Sequence, residues 1–209
     1  MDYLEQLIER YPQLSGNKAA IFNAYHQLAE TFEAGGKLLV AGNGGSAADA
    51  DHIVGELMKG FIKKRPLSDT FIEKLRMVNP EHAEYIGLNI QQGLPAIALS
   101  AHTALTTACI NDMDGNIIYA QQVYGYGAAK DTFLGISTSG NAKNILFAMT
   151  TAKAKNMKTI ALTGGTGGAL ANIADTAIIV PETETYKIQE LHLPIYHALC
   201  LMIEDRFFK

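Results

Sequence analysis

The chain has 209 residues, of which 48% are hydrophobic and 18% charged, so it is long enough for one sizeable α/β domain and too apolar for extensive disorder. Its formal net charge of -4 argues against a broad basic surface, and we therefore expect neither a nucleic-acid partner nor binding to anionic membranes. Cys109 and Cys200 form no Cys-x-x-Cys pair, which predicts two core thiols in a reducing compartment.

The first residues are charged rather than apolar. Asp2, Glu5, Glu9 and Arg10 occupy positions where a signal peptide would need an apolar stretch. The apolar runs of the chain are all far shorter than the roughly 18 residues that a membrane helix needs. The sequence therefore predicts a cytoplasmic protein that does not span a membrane.

The predicted elements begin with an amphipathic helix. Its apolar residues recur every three or four positions from Ala19 onward, and the Gly35-Gly36 pair is expected to end it. Residues 1–34 are thus predicted to be a helical extension that precedes the first strand.

Helices and strands are then predicted to alternate. Short apolar runs typical of strands buried on both faces occur at residues 37–41, 95–99, 132–136, 159–162 and 176–180. Helical patterns occur at 46–60, 103–112, 141–156 and 167–174, and a last helix at about 186–207, in which Pro194 is expected to cause a kink or a change of register. This alternation predicts an α/β fold with a doubly wound, five-stranded parallel sheet.

The segment from Lys59 to Gln92 differs in composition from the rest of the chain. It opens with the basic run Lys63-Lys64-Arg65-Pro66, and the charged stretch 69–76 predicts one helix. We interpret residues 66–92 as an insertion within a single domain that covers residues 1–209.

Small polar residues follow each of the first four predicted strands, in the loops 42–46, 100–103, 137–141 and 163–168. Parallel sheets bind ligands outside the carboxyl ends of their strands, where glycine allows close approach and helix N-termini present free N–H groups. In a single loop of this kind, Gly and Ser can be explained by turn formation alone. Because all four loops share this composition, they indicate a binding site for a ligand that carries a phosphate and several hydroxyl groups.

Three successive hydroxyl residues, Ser137, Thr138 and Ser139, precede a glycine and a predicted helix. They make this loop the predicted phosphate site. The chain has neither a Gly-x-x-x-x-Gly-Lys-Ser/Thr motif nor the glycine spacing of a dinucleotide fingerprint. We therefore expect no nucleotide cofactor.

Two pairs of side chains on helices are candidates for chemistry. His52 and Glu56 are four residues apart, hence about 40° apart around a helix, and can share a metal ion or a proton or form only a surface hydrogen bond. Gln189 and His197 are eight residues apart, hence about 80° apart on a straight helix. The remaining histidines that we considered are interpreted as structural or solvated: His26, His82 and His102.

Four stretches carry a family resemblance: GNGGSAADADHIVGEL, LPAIALSAHTALTTACIND, GISTSGNAKNI and KIQELHLPIYHALCLMIE. They resemble the sugar isomerase (SIS) domain family and, within it, the phosphoheptose isomerases. The resemblance implies a flavodoxin-like SIS fold and conversion of sedoheptulose 7-phosphate to D-glycero-D-manno-heptose 7-phosphate through an enediol, which serves lipopolysaccharide or capsule heptose synthesis.

The resemblance also implies roles at matching positions. Glu56 would be the general base and His197 its acid or base partner. The implied substrate contacts are Asn43, Gly44, Gly45, Ser46, Glu56, Asn111, Asp112 and Gln189 for the sugar, and Ser137, Thr138 and Ser139 for the phosphate. One zinc ion per subunit would be held by His52, Glu56, Gln189 and His197.

These residues suit aldose–ketose isomerisation. A carboxylate must remove a proton beside the carbonyl, a second group must move protons between oxygens, and a donor must stabilise the developing oxyanion. Glu56 fits the first task and His197 the second, while backbone N–H groups or a metal fit the third. Two His, one Glu and a Gln oxygen suit zinc, and metal-free proton transfer is the alternative.

Three features depart from the family pattern. Ala142 stands where many phosphoheptose isomerases have a phosphate-contacting serine, and Tyr186 stands where some have an aspartate. Typical members also lack the residues inserted after Pro66. These differences concern the identity of the substrate more than the class of reaction.

Two other functions are alternatives. Some relatives are non-catalytic scaffolds that bind the bacterial replication initiator, and others act on a different phosphosugar. The presence of His197 together with His52 and Glu56 favours an enzyme. The resemblance implies a homotetramer whose subunits share their sites, and the long amphipathic helices at both ends of the chain agree with that.

Overall fold

The computed structural model describes residues 2–208, and a five-stranded parallel sheet lies at its centre in the order β2-β1-β3-β4-β5. In the register of the sheet, Leu39 of β1 lies between Ile97 of β2 and Phe133 of β3. The predicted fold class is confirmed. The strands are β1 (Leu38–Ala41), β2 (Ala96–Ala98), β3 (Thr132–Ser137), β4 (Lys158–Gly164) and β5 (Thr176–Val180).

Helices connect the strands and flank them at both ends of the chain. A helix forms at each of the five patterns predicted at 46–60, 103–112, 141–156, 167–174 and 186–207. The helix at 103–112 has the predicted bounds. The α-helices of residues 2–208 are α1 (Tyr3–Arg10), α2 (Lys18–Glu33), α3 (Gly45–Met58), α4 (Asp69–Val78), α5 (Pro80–Asn89), α6 (Thr103–Asp112), α7 (Ile118–Tyr126), α8 (Lys143–Ala154), α9 (Gly168–Ile173) and α10 (Thr185–Phe207).

The helices cover both faces of the sheet. Along β1, Leu38 and Val40 point into a core formed with α1, α2, α3 and α10, whereas Leu39 and Ala41 point into a core formed with α6, α7, α8 and α9. Alternate residues of a strand face opposite sides of a sheet, so a strand buried at every position needs a helix layer on each side. This is why the strand patterns are continuously apolar.

Sequence reasoning missed two helices, α5 and α7, and did not separate α1 from α2 within the predicted helical extension of residues 1–34. For α5 a signal was present, because Asn79 accepts a hydrogen bond from the N–H of His82 at 3.3 Å and Pro80 is the first helical residue, a pair typical of helix starts. For α1 the corresponding signal was Asp2, whose Oδ1 accepts from the N–H groups of Leu4 and Glu5.

The helix α10 runs without interruption through Pro194, which is buried. Proline has no N–H, so the helix continues there with one backbone hydrogen bond fewer. No helix of residues 2–208 combines the length and the apolar character that crossing a membrane requires. Cys109 and Cys200 are buried free thiols, as predicted.

Residues 66–92 form a helical hairpin of α4 and α5. The helices pack closely because Gly87 has no side chain, and a Cβ there would lie 3.3 Å from Ile72. The ends of the segment meet, since Gln92 donates from its N–H to the carbonyl of Arg65 at 2.8 Å and from its side chain to the carbonyl of Pro66 at 2.6 Å. The two ends of the hairpin therefore lie next to each other where it joins the rest of the protein.

Candidate functional site

The strand order places a crevice between β1 and β3. These strands are neighbours, but the chain moves from β1 to β2 in one direction and from β3 to β4 in the other, and ligands of such sheets bind where the direction reverses. The loops that follow β1 and β3 meet there. Asn43 and Asn144 exchange two side-chain hydrogen bonds, of 2.9 and 2.8 Å, across this crevice.

The loop after β1 turns tightly into α3. A Cβ on Gly42 would lie 2.3 Å from the carbonyl oxygen of Ser46, and Gly44 has φ +56°, so both positions favour glycine. Ser46 is buried inside this turn, while Asn43, Gly44 and Gly45 are exposed. Asn43, Gly44 and Gly45 therefore face solvent at the start of α3, as a ligand would require, whereas Ser46 lies beneath them.

The loop after β3 carries the predicted phosphate residues. Ser137 is buried at the end of the strand, Thr138 is half-buried and Ser139 is exposed. Ala142, the residue before α8, supplies no capping side chain, and within the first turn the Oδ1 of Asn144 accepts from the N–H of Ile145 at 3.0 Å. A helix start without a cap from the preceding residue can bind an anion. The loop is braced by Asn141, which donates to the carbonyl of Ser139 at 3.0 Å.

A second helix brings the C-terminal candidates to the first loop. A Cβ on Gly45 would lie 2.5 Å from Nε2 of Gln189, so Gln189 of α10 lies directly against the start of α3. Two turns further along both helices, the ring centroids of His52 and His197 are 4.9 Å apart. The helices α3 and α10 therefore run side by side in the same direction, and their facing residues are the predicted ones.

Glu56 is the carboxylate at this interface. Its Oε1 lies 3.2 Å from Nε2 of His52, and its Oε2 lies 3.0 Å from Nζ of Lys59, a side chain that sequence reasoning did not single out. The side chain of Glu56 is 13% exposed, that of His52 42% and that of Lys59 58%. A mostly buried carboxylate between partly exposed neighbours can accept a proton from a bound ligand.

Tyr196 and Asp49 complete a chain of polar contacts behind His52. The Tyr196 hydroxyl lies 3.1 Å from Nδ1 of His52 and donates to Oδ1 of Asp49 at 3.2 Å. Burial, and then the Asp49 carboxylate, raise the pKa of Tyr196 far above the ordinary value of a phenol. Burial likewise raises the pKa of Asp49, although the hydrogen bond from Tyr196 opposes this.

His197 lies beside this chain in a more apolar setting. Its ring centroid is 5.4 Å from that of Phe61, and its Nε2 is buried without a hydrogen-bond partner. Burial, and then the nearby His52, lower the pKa of His197, while Glu56 acts in the opposite direction. A neutral imidazole at neutral pH can both accept and donate a proton.

A zinc centre would need the predicted ligands to converge. The unpartnered Nε2 of His197 is the kind of atom that a metal ion satisfies. Gln189, however, lies two turns from His197 along α10, and within residues 2–208 no three His, Cys, Asp or Glu side chains gather closely enough to hold an ion. One chain does not present a formed zinc centre, and the chemistry derived below uses no metal.

Two predicted sugar contacts lie elsewhere. Asn111 and Asp112 end α6, are exposed, and bond to each other at 2.7 Å. Asp112 lines a separate shallow depression, whose lining includes none of the other predicted residues. Tyr186, the residue that departs from the family pattern, is 58% exposed in the first turn of α10.

Sequence reasoning missed Asn144, Asp49 and Tyr196. Asp49 had a signal, since it precedes His52 and Glu56 by three and seven residues and so shares their helix face. Asn144 and Tyr196 had none, because their partners lie 101 and 144 residues away in the chain. His192 was also missed; it is fully buried, and its Nε2 contacts the carbonyl of Thr163 at 3.2 Å.

Comparison with known proteins adds a family context. The model of the SIS domain matches residues 2–86 and 77–164. A protein of Aneurinibacillus thermoaerophilus named phosphoheptose isomerase is 38% identical over 180 residues, which are 86% of this chain and 78% of that protein. Solved phosphoheptose isomerases of Francisella tularensis and Neisseria gonorrhoeae each match 97% of this chain, at 35% and 31% identity, TM-scores of 0.77 and 0.73, and 95% and 91% of their own lengths.

Proposed function

The chain belongs to the SIS domain family and, within it, to the phosphoheptose isomerases, and from this membership we propose that it converts sedoheptulose 7-phosphate to D-glycero-D-manno-heptose 7-phosphate. The observation that carries the proposal is the meeting of α3 and α10 beside the first glycine loop. Two to three turns along these helices from the loop, Glu56 and His197, from parts of the chain far apart in sequence, flank His52.

The proposed reaction begins at C1 of the ketose. The Glu56 carboxylate takes one proton from C1, and the electron pair of that C–H bond forms the C1–C2 double bond while the carbonyl oxygen at C2 gains a proton. The resulting enediol then receives a proton at C2 and loses one from the oxygen at C1, which becomes the aldehyde. No proton or electron is consumed overall.

His197 is the group proposed to move protons between the two oxygens. Because its pKa is lowered, the imidazole is neutral at neutral pH and can give up a proton at one oxygen and take one from the other.

The phosphate is proposed to bind at Ser137, Thr138 and Ser139, at the start of α8. This places it at the carboxyl end of β3, one strand away from the loop that holds the sugar. Hydroxyl groups and helix N–H groups can hold the phosphate without a basic side chain, which agrees with the acidic balance of the chain.

The experiment is to mix the purified protein with sedoheptulose 7-phosphate and follow the aldose 7-phosphate by NMR. We expect turnover, and we expect Glu56→Gln to abolish exchange of the C1 proton with deuterated water while phosphate binding persists. Glu73→Gln, which changes an exposed carboxylate on α4, is the matched control and should keep full exchange.

Two outcomes would count against the proposal. If several ketose phosphates fail to turn over with and without added zinc, the chain is not this isomerase, and recovery of the replication initiator in a pull-down would then favour a scaffold. If exchange continues in Glu56→Gln, another residue is the base.

Zinc binding is a separate proposal. His52, Glu56, Gln189 and His197 would hold the ion where neighbouring subunits bring them together, because within one chain Gln189 lies two turns from His197. Bound zinc would polarise the carbonyl oxygen of the substrate as a Lewis acid. Mass spectrometric metal analysis of protein purified without chelator should give about one zinc per chain, and much less in His197→Ala. Protein that contains no zinc, or an equal zinc content in His197→Ala, would contradict the proposal.

A further inference from the structure

Two asparagine side chains meet across the crevice between β1 and β3. Nδ2 of Asn43 donates to Oδ1 of Asn144 at 2.9 Å, and Nδ2 of Asn144 donates to Oδ1 of Asn43 at 2.8 Å. Asn43 belongs to loop 42–46, which is proposed to hold the sugar, and Asn144 lies in the first turn of α8, where the phosphate is proposed to bind. Neither the proposed proton transfer nor the proposed phosphate contacts use Asn144.

Asn144 is the more firmly held member of this pair. The next residue, Ile145, is fully buried, and a Cβ on Gly135 of β3 would lie 2.9 Å from its side chain, so the start of α8 packs tightly on the sheet. Asn43, in contrast, lies in an exposed loop. Its carbonyl accepts from the N–H of Ser46 at 3.1 Å, which holds the backbone there, while the direction of its side chain depends on Asn144.

A third hydrogen bond fixes which way both amides point. The backbone N–H of Ile145 donates to Oδ1 of Asn144 at 3.0 Å, and in an amide side chain only the oxygen can accept. Asn43 must therefore present its Nδ2 to that oxygen and its own Oδ1 to the NH₂ group of Asn144. One hydrogen of Nδ2 and one lone pair of Oδ1 remain on Asn43, and because this residue is exposed, both can bond to a sugar hydroxyl group.

We propose that Asn144 is a positioning residue, which fixes the direction of the Asn43 amide toward the sugar and ties loop 42–46 to the helix start that holds the phosphate. The effect on catalysis rests on the proposed function, whereas the fixed direction of Asn43 does not. A sugar phosphate bound at both places has its reacting carbons placed by these two elements together, so a small displacement of one element relative to the other slows the reaction.

The first test compares Asn144→Ala with the unaltered protein. The kcat for sedoheptulose 7-phosphate should fall about tenfold, because a misplaced substrate reacts more slowly, while the Kd for inorganic phosphate, measured by calorimetry, should not change. The melting temperature should move by less than about 4 °C, since an exposed amide that loses its partner bonds to water instead. Asn89→Ala is the matched control, because it removes an exposed amide that donates to the carbonyl of Tyr85 at 2.7 Å on α5, and it should change neither kcat nor Kd.

A double-mutant cycle separates positioning from an independent contact with the substrate. Because Asn144 is proposed to act through Asn43, the kcat of Asn43→Ala/Asn144→Ala should lie within about twofold of that of Asn43→Ala alone. Losses that multiply in the double variant would show that Asn144 acts on the substrate by itself, and they would overturn the proposal. An unchanged kcat in Asn144→Ala would overturn it too, as would a weaker affinity of that variant for phosphate, since Asn144 would then be a phosphate contact.

A measurement without turnover keeps this proposal separate from the proposed function. In ¹⁵N–¹H NMR spectra of protein labelled on its asparagine side chains, the Asn43 signals are identified by their loss in Asn43→Ala. We expect one Nδ2 hydrogen of Asn43 to exchange slowly with water in the unaltered protein and to lose this protection in Asn144→Ala. Equal exchange in the two proteins overturns the proposal. Loss of protection in the variant, with no turnover even in the unaltered protein, would instead refute the isomerase activity and leave the positioning of Asn43 intact.

Discussion

At the scale of single residues, Ala142 offers a gain-of-function test. It precedes α8 without a capping side chain, and the family resemblance puts a serine there. Ala142→Ser should cap the helix and stabilise the protein by about 1 kcal/mol. A hydrogen bond to a charged group contributes roughly 1.5–3 kcal/mol, so the KM for the sugar phosphate should fall about tenfold. Thermal unfolding and steady-state kinetics measure the two effects.

The matched control for Ala142→Ser is Ala154→Ser at the other end of α8, where the residue is exposed and far from the phosphate loop. It should change neither KM nor stability by a comparable amount. An unchanged KM in Ala142→Ser would mean that the phosphate does not bind at the start of α8.

His192 makes stability depend on pH. Burial lowers its pKa to about 4, whereas the unfolded chain binds the proton at about 6.5. As the pH falls from 6.5 to 4, the unfolded state gains a proton that the folded state resists, so this residue should cost about 3 kcal/mol of unfolding free energy over that window. His192→Gln should remove this dependence in denaturant titrations, while His82→Gln, at an exposed position, should not.

Residues that act within one helix could be predicted from sequence, but residues that act across helices could not. His52 and Glu56 are four apart, and helical geometry alone puts them on one face; the structure places them 3.2 Å apart. Tyr196 looked like one more apolar position of α10, because its partners Asp49 and His52 belong to α3. Only the packing of the two helices reveals that its hydroxyl is engaged.

At the scale of elements, a buried ion pair ties α10 to the segment after α3. Arg65 and Glu204 are 0% and 1% exposed and lie 2.8 Å apart. Glu204 also accepts from the N–H groups of Phe61, Ile62 and Lys63 at 2.8 to 3.2 Å, and Arg65 donates to the carbonyl of Glu56 at 3.1 Å. This network holds the end of the helix that carries the proposed base.

Breaking that pair should be costly. Glu204→Gln leaves the Arg65 charge buried without a partner charge, and we expect a loss of about 3–5 kcal/mol in unfolding free energy. Glu33→Gln, which breaks the exposed pair with Arg206 at 2.6 Å, should cost less than about 1 kcal/mol. Equal losses in the two variants, measured by urea titration, would show that the buried pair contributes no more than a surface one.

The elements themselves differed in how well the sequence predicted them. The strands were recognised because burial on both faces makes them continuously apolar, and α2 because the chain after it turns at Gly35, with φ +67°. The helix α7 was missed because its buried residues, Tyr119 and Val123 among them, mix with exposed tyrosines and a glycine, so the sequence shows no continuous apolar face.

At the scale of the whole molecule, the assembly is the main expectation that is still to be measured. The family resemblance implies a homotetramer, and several large apolar side chains are exposed in one chain, among them Met77 at 83%, Val78 at 85% and Leu88 at 78%. Contiguous exposed apolar residues often mark contacts with another protein. Size-exclusion chromatography with light scattering should give four chains, and a monomer would contradict sites shared between subunits.

The closed base of the helical hairpin makes residues 66–92 a modular unit of the chain. Arg65 and Gln92 are already joined by a backbone hydrogen bond of 2.8 Å, so a short linker could replace everything between them without moving β2 or α3. Conversely, the same junction could accept a foreign domain whose two ends lie close together. Evolution could therefore lengthen or shorten this protein at that single point while the sheet and its crevice stay the same.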